Sequence, residues 1–314
     1  MKKLLIYASV IASVLLAVSC QKNGLESVEG DASVRFTLDI PARVQTRAIA
    51  QAELTDIVYY EVWSSDWKTK LYPRQGAGLA SEEVVGKQAE IKLTLVRDQT
   101  YNFIFWAQNE TCGAYDVTDL KHVKVDYSVI AENGNQDKFD AFYAVKTFTV
   151  GASLDEEVTL YRPFSQLNFG ASVMATSFGP VEVGATEITV TELATVFNTI
   201  DGVGETSTAA PVTFKANGLA TTDKLKTNGQ EYTWITMDYM LMLEAADVVE
   251  VTASFNLGMA QPVTHIVPNV SIKKNHRTNI VGDLFTADAN LLVIVEPEFK
   301  DADGIPNEDE IVGL

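Results

Sequence analysis

Apolar and polar residues alternate along several stretches of the chain, which is the pattern of an extended strand with one buried face. In the clearest stretch, Val34, Phe36 and Leu38 are separated by polar residues. The stretches with this alternation are residues 34–40, 91–95, 101–105 and 249–257. We therefore predict β-strands that each bury one face.

Short turn-forming sequences separate the predicted strands at spacings typical of antiparallel sheets. They lie at residues 97–99, 133–135, 201–202, 217–218 and 228–229. No stretch has the 3.6-residue periodicity of a long amphipathic helix, and a short helical turn is expected only at residues 117–122. The fold class that we predict is all-β.

The length of the chain, 314 residues, exceeds what one small hydrophobic core spans, so we expect two domains. Two packed β-sandwiches fit the number of strands better than one barrel does. The joint is placed at Tyr161-Arg162-Pro163, because proline ends the preceding strand and cannot donate a ladder hydrogen bond. The predicted segments are a signal peptide at 1–19, a tether at 20–30, sandwich domains at 31–162 and 163–299, and an acidic tail at 300–314.

The first twenty residues have the composition of a lipoprotein signal. Two lysines precede an apolar run at residues 4–18, and Ser19-Cys20 is followed at once by polar residues. The run is shorter than the about 20 apolar residues of a membrane-spanning helix, so we expect removal of residues 1–19 and acylation of Cys20. An ordinary secretory signal with an incidental cysteine is the alternative. In both cases the mature chain works outside the cytoplasm.

The chain is acidic, with a formal charge of −18 that becomes more negative when the two lysines of the signal are removed. Such a surface repels phosphate groups, which argues against nucleic-acid binding. After acylation of Cys20 the remaining thiol is that of Cys112, so no internal disulfide can form. Stability must then come from apolar burial.

The sequence contains no motif of a catalytic or cofactor-binding site. Its three histidines lack metal-ligand spacing, and no nucleophile elbow, phosphate loop or dinucleotide motif occurs. We therefore predict a protein without enzymatic activity and without a cofactor. In the acidic tail, Asp301, Asp303 and Asn307 are candidate calcium ligands, but the series lacks the terminal glutamate of a calcium loop. A solvated acidic end is the alternative there.

Two segments in the second half carry a family resemblance. They are RPFSQLNFG at residues 162–170 and NHRTNIVGDLFT at residues 275–286. The first is similar to the strand that opens the second domain of fimbrillin-like lipoproteins, the type V pilus family of Bacteroidetes, and the second resembles a segment near the end of that domain. Residues 234–241, residues 293–299 and the lipobox match the family too, so the resemblance covers essentially the whole chain.

From their residues, both segments are expected to be structural. The apolar residues of the first do not alternate cleanly, which predicts a bulge or bend at Gln166. In the second, Asn275, Thr278 and Asn279 can bond local backbone in a turn, and Gly282 can adopt a positive φ. We interpret both segments as markers of the fold, with ligand contact as the alternative.

The resemblance implies two tandem transthyretin-like sandwiches with Greek-key, antiparallel sheets, anchored by lipid in the outer membrane and exposed at the cell surface or carried in a fimbria. In such subunits an arginine-specific protease removes the first strand, and the vacated groove accepts a strand from a neighbour. Arg47 is the candidate processing site, with Arg43 as the alternative. The implied partners are other fimbrial subunits or surface receptors. The roles of stalk, tip, anchor and lone adhesin stay open.

The apolar run at residues 291–295 bears on how such a subunit would assemble. An unbroken apolar strand is expected to be buried on both faces, so we predict a last core strand instead of an exposed donor strand. A subunit without a spare C-terminal strand would cap, anchor or decorate a fimbria.

The alternative function is a surface lipoprotein that captures glycans for a nutrient-uptake system. Glycan sites expose aromatic platforms, for which Tyr59, Tyr60, Trp63 and Trp67 are the candidates. The strand alternation places Tyr59 and Trp63 on the same side as Ile57, facing a core. Trp67 is the candidate that fits the strand pattern least.

Overall fold

The computed structural model describes residues 30–41, 54–217, 223–287 and 289–297, and these residues form an all-β fold. The strands of the first half are β1 (Asp31–Asp39), β2 (Ile57–Ser64), β3 (Lys70–Tyr72), β4 (Ala80–Glu83), β5 (Gln88–Val96), β6 (Gln99–Gln108), β7 (Tyr115–Asp116), β8 (His122–Val125), β9 (Phe142–Val150) and β10 (Ser153–Thr159). A short α-helix, α1 (Tyr127–Glu132), and a 3₁₀ turn (Asp137–Phe139) lie between β8 and β9.

Two sheets of the first half enclose the first hydrophobic core. One has the strand order β10-β1-β5, and the other has the order β3-β2-β6-β9, with β4 also paired to β2. Val34 and Ile91 from one sheet and Val62 and Phe103 from the other are fully buried in this core. Apolar faces that meet in this way are consistent with a β-sandwich.

The second half supplies the remaining strands. They are β11 (Ser165–Ala171), β12 (Ala175–Thr176), β13 (Gly179–Pro180), β14 (Ala185–Val190), β15 (Ala194–Asn198), β16 (Val203–Ser207), β17 (Val212–Asn217), β18 (Lys224–Thr227), β19 (Gln230–Met240), β20 (Ala246–Asn256), β21 (Val263–Lys273), β22 (Arg277–Gly282) and β23 (Leu291–Val295). A five-stranded sheet, β18-β19-β11-β22-β23, packs on a four-stranded sheet, β17-β14-β20-β21. Phe169 of β11 meets Phe255 of β20 across this second core, with ring centroids 5.8 Å apart.

The two halves share buried structure. Strand β8 of the first half pairs with β15 of the second in a sheet of order β16-β15-β8-β7. Strand β6 contributes Phe103 and Phe105 to the first core but Ile104 and Trp106 to the second. The Trp106 ring is fully buried and lies 6.4 Å from that of Phe164, just before β11. The halves are therefore packed into each other, and the domain boundaries given above stay predictions.

The joint between the halves holds a buried ion pair. Arg162 donates from Nε to both carboxylate oxygens of Asp140 at 3.0 Å. Both residues are 1% exposed, and the Arg162 guanidinium lies 4.6 Å from the ring centre of Phe142. Removal of either charge would leave the other buried without a counter-charge, which is strongly destabilising. Both residues are therefore needed for a stable joint.

The structure confirms the four predicted strands, which appear as β1, β5, β6 and β20. The predicted turn at residues 228–229 joins β18 to β19, and both its residues have the positive φ of a tight hairpin, +50° for Asn228 and +67° for Gly229. One detail of β6 is wrong: residues 101–108 are buried on both faces, because each face meets a different core.

Two local predictions are also wrong. Residues 117–121 form a loop and His122 begins β8. The carboxylates of Asp116 and Asp119 accept backbone N–H bonds two residues further on, and such bonds compete with a helix. The helix begins later, where the Asp126 side chain caps it. The irregularity in the pairing of β11 with β19 lies between Phe169 and Gly170 instead of at Gln166, and the extra residue is Ile235 of β19.

Removing the acid of the buried pair tests how far the joint depends on it. The Asp140→Asn substitution removes the counter-charge from a guanidinium that stays buried, so we expect the free energy of unfolding to fall by about 3–5 kcal/mol. Chemical denaturation of the purified protein measures the change. The control is Glu231→Gln, which breaks an exposed pair with Lys226 and should leave stability nearly unchanged. Equal stability of the two variants would contradict the expectation.

Candidate functional site

Strand β1 lies in the middle of its sheet although it is the first strand that the structure describes. It is antiparallel to β5 and parallel to β10, and these two neighbours do not pair with each other. Phe36 lies opposite Ile91 of β5 and Glu156 of β10. Loss of β1 would therefore leave two strands with unpaired backbone groups and a slot between them.

The inward face of β1 is fully buried. Ala32 is 1% exposed, and Val34, Phe36 and Leu38 are 0% exposed. Burial of a side chain of the size of valine, leucine or phenylalanine contributes about 1.5–3 kcal/mol, so the three larger groups together contribute more than any single contact of the strand. Alternate residues of β1 thus occupy a row of pockets in the first core.

Phe36 is the centre of an aromatic cluster. Its ring centroid lies 4.7 Å from that of Phe103, 5.3 Å from Phe105 and 5.6 Å from Phe148. The first two contacts have the edge-on geometry that aromatic rings favour. The aromatic contacts of Phe36 are therefore made by β6 and β9 of the opposite sheet.

The outward face of β1 is polar and exposed. Arg35 Nε lies 2.5 Å from Glu90 Oε1, and Arg35 Nη1 lies 3.6 Å from Asp155 Oδ2. Hydrogen bonds from Lys92 and then from Arg35 lower the pKa of the Glu90 carboxyl. Ion pairs in such exposed positions contribute little to stability. β1 is therefore held mainly by its buried face and by its hydrogen-bonded ladders to β5 and β10.

An open acidic cleft of about 810 Å³ lies beside β1, between β4 and β5. Its lining includes the carboxylates of Asp56, Glu82, Glu83, Glu90 and Glu110. In the part of the chain that the structure describes, no three His, Cys, Asp or Glu residues are arranged to bind a metal ion.

Strand β23 differs from its prediction. It forms the edge of the five-stranded sheet, and Leu292, Val293 and Val295 are 53%, 39% and 37% exposed. Leu291 and Ile294 pack against the second core. The prediction of a strand buried on both faces is therefore wrong, because an apolar sequence does not reveal how many layers cover a strand. Among the described strands β23 pairs with β22 alone, so it presents an apolar edge.

The four aromatic candidates for a glycan platform do not share one exposed surface. Tyr60 is 4% exposed in the first core, whereas Tyr59, Trp63 and Trp67 are partly buried against the second. Lys121 Nζ lies 3.4 Å from the ring centre of Trp63 and donates to the Trp67 carbonyl oxygen at 2.6 Å. Burial lowers the pKa of Lys121. The lysine thus covers the tryptophan face that a sugar would need.

The remaining candidate residues lie outside the described part of the chain. They are the lipidation residue Cys20, the processing residues Arg43 and Arg47, and the calcium candidates Asp301, Asp303 and Asn307. Cys112 is described: it is a free, buried thiol, and burial raises its pKa, which makes it unreactive. Among the described residues, no helix has the length and apolar composition of a membrane span.

Comparisons with known proteins give a family and a fold. Residues 26–312 match the model of DUF6562, a family of unknown function, so the chain belongs to this family. No curated protein matches the chain. Similar folds occur in crystal structures of two proteins described provisionally as cell adhesion proteins, from Bacteroides ovatus ATCC 8483 and Bacteroides uniformis ATCC 8492. A protein from Bacteroides thetaiotaomicron VPI-5482, described provisionally as an adhesin, has a similar fold too.

The likeness to these three structures spans nearly the whole of each chain. For the Bacteroides ovatus protein the TM-score is 0.51 at 10% identity, with 87% of this chain and 99% of that chain covered. For the Bacteroides uniformis protein the TM-score is 0.52 at 11% identity, with 86% of this chain and 99% of that chain covered. For the Bacteroides thetaiotaomicron protein the TM-score is 0.50 at 12% identity, with 86% of this chain and 97% of that chain covered. At such identities the likeness shows a shared fold.

Truncation of the central side chain of β1 tests how strongly this strand is held. In Phe36→Ala the aromatic pocket is left empty, so we expect the free energy of unfolding to fall by about 3–5 kcal/mol. Thr37→Ala is the matched control, because Thr37 is the next residue and points away from the core. Urea denaturation of both variants measures the difference. A Phe36→Ala variant as stable as Thr37→Ala would show that the pocket does not hold β1.

Proposed function

We propose that this DUF6562 protein is a non-enzymatic, lipid-anchored adhesion protein of the fimbrillin type, exposed on the outer membrane or carried in a fimbria. In this proposal its two halves are transthyretin-like sandwiches. It joins other fimbrial subunits, or binds surface receptors, by exchange of a β-strand at the position of β1. Its place in the assembly is that of a subunit, an anchor or a tip component.

The observation that carries the proposal is the position of β1. An inner strand with four buried side chains on alternate residues is replaceable only by another strand with the same alternation. An incoming strand would restore the ladders to β5 and β10 and refill the pockets of Val34, Phe36 and Leu38. Exchange therefore needs no chemical reaction other than the cut that frees β1.

The residues after β1 supply the place for that cut. β1 ends at Asp39, and the following residues include Arg43 and Arg47. Cleavage after either arginine would leave β1 attached to the protein by noncovalent contacts alone. Such a strand dissociates when a better or covalently tethered competitor is present at high effective concentration.

Two further features support an assembly role. The apolar edge of β23 is a second place at which a strand can add, because an edge strand offers a row of backbone donors and acceptors. The names of the three structurally similar proteins, which refer to adhesion, agree with a surface role. The lipobox resemblance supplies the membrane anchor through Cys20.

Controlled proteolysis tests the proposal. The protein with Cys20→Ser, which cannot be acylated, is incubated with an arginine-specific protease and then analysed by mass spectrometry and size-exclusion chromatography. We expect a new N-terminus at Ala48 or Val44, followed by oligomers that form because the exposed pockets accept a strand from another copy. The control, Arg43→Ala/Arg47→Ala, should not be cut between β1 and β2 and should stay monomeric.

A competing peptide shows whether the β1 position is the acceptor. A synthetic peptide of residues 31–40 with Arg35→Lys, which an arginine-specific protease does not cut, is added in excess during cleavage and should occupy the vacated position and suppress the oligomers. The same peptide with Phe36→Asp should have no effect, because a carboxylate cannot enter the aromatic pocket without a large cost. Oligomers that form equally with both peptides, or cleaved protein that stays monomeric, would contradict strand exchange at β1.

A further inference from the structure

A cavity of about 350 Å³ opens where the two halves meet, at the start of both segments that carry the family resemblance. It is lined by Tyr143, Tyr161, Arg162, Ala245 and residues 273–276. Tyr161, Ala245 and Lys273 are exposed at its mouth, whereas Arg162 is fully buried. The cavity is therefore a pocket with an open mouth and a buried basic residue in its lining.

The backbone fixes the parts of this pocket. Tyr143 and Tyr161 form an antiparallel bridge, with N–O distances of 2.8 and 2.9 Å, so their side chains lie next to each other on the same side. The turn between β21 and β22 is tied down by bonds from Lys274 N to Ala245 O, at 2.8 Å, and from Asn275 N to Phe164 O, at 3.0 Å. Both walls are thus held in place by backbone hydrogen bonds.

The charge of the pocket is opposite to that of the protein. Its lining contains Arg162, Lys273 and Lys274 but no carboxylate, in a chain with a formal charge of −18. Asp140, which lies outside the lining, balances Arg162. The two lysines are therefore the source of the net positive charge. Burial lowers the pKa of nearby Arg277, while the charge of Glu296 raises it and the charge of Arg162 lowers it further, so Arg277 has its own acidic neighbour and is not counted with the two lysines.

The lysines differ in how they are held. Lys274 Nζ donates to the carbonyl oxygen of Gly202 at 2.5 Å and to Tyr143 Oη at 3.2 Å, so its charge is fixed against the first tyrosine. His276 Nδ1 donates to the Lys274 carbonyl oxygen at 2.7 Å, which holds the turn. Lys273 is exposed at the rim. A fixed charge inside and an adjustable charge at the rim can bind one anionic group between them.

The tyrosines add a surface for an apolar ring. Tyr161 is 46% exposed, so part of its ring is accessible at the mouth of the pocket. An aromatic face beside a hydroxyl suits the CH groups and hydroxyls of a sugar ring. A cavity of about 350 Å³ is near the lower end of the range for ligand pockets, about 300–1,000 Å³, and so has room for one such ring.

We propose that this pocket binds a sugar unit that carries a carboxylate, with Lys273 and Lys274 at the carboxylate and Tyr161 against the ring. This goes beyond strand exchange, because none of the pocket residues belongs to β1 or to the strands that flank it. A ligand in this pocket would give the two family segments, residues 162–170 and 275–286, a binding role in addition to their role in the fold. Acidic glycans of a cell surface are the class of ligand that presents such a unit.

Titration calorimetry of the full mature protein with glucuronic acid and with glucose tests the proposal. We expect glucuronic acid to bind at least about tenfold more tightly than glucose, since its carboxylate accepts charge-assisted hydrogen bonds that glucose cannot form. Binding of glucuronic acid should weaken as salt is added. Equal affinity for the two sugars would overturn the proposal. If inorganic sulfate binds as tightly as glucuronic acid, the sugar ring adds nothing to the affinity, and the proposed contact between Tyr161 and that ring is overturned.

Substitutions locate the binding to the pocket. Lys273→Gln and Tyr161→Ala should each weaken glucuronic acid binding about tenfold. The matched control is Lys226→Gln, which removes the same charge from an exposed position on β18 and should leave the affinity unchanged. Thermal unfolding shows that each variant is folded, and both rim residues are exposed, so the fold should tolerate the changes. Unchanged affinity in Lys273→Gln and Tyr161→Ala would place any binding elsewhere and overturn the proposal.

Discussion

The pairing of β1 with two strands that do not pair with each other is the constraint on which the first half depends. β5 and β10 belong to one sheet only because β1 lies between them. The alternating side chains of β1 also fill one side of the first core, with Phe36 against three aromatic rings. A strand in this position is needed for the fold, and its contacts with β5, β10 and the first core are all noncovalent, as the proposed strand exchange requires.

The junction between the halves is built differently, from strands and side chains that belong to both cores or join them. β6 faces both cores, β8 pairs with β15, and the buried pair of Arg162 and Asp140 closes the joint. Because β1 contributes only to the first core, its exchange leaves these contacts in place. The basic pocket at Tyr143 and Tyr161 contains no residue of β1, although the backbone bond from Leu160 N to Asp39 O joins the end of β1 to the residue before Tyr161.

Local patterns in the sequence predicted the strands and turns whose formation depends on a few consecutive residues. The alternation around Phe36 and the turn at Asn228 and Gly229 are properties of a few consecutive residues, and both were found. Contacts over long sequence separations left no such signal: the parallel pairing of β1 with β10 and the stacking of Lys121 on Trp63 are examples. The apolar composition of β23 was misleading, because burial depends on the layers above a strand, and an edge strand of a sandwich is only partly covered.

The central claim is that β1 belongs to an exported, lipid-anchored subunit and is exchanged during assembly. Mass spectrometry of the protein isolated from its own cells, from membranes and from any polymerised surface fraction, tests this claim most directly. The account predicts an acylated Cys20 as the N-terminus in the membrane fraction and an N-terminus at Ala48 in the polymerised fraction. Recovery of the whole chain from Met1 in the cytoplasm, or of polymers that retain β1 in the same covalent chain, would contradict it.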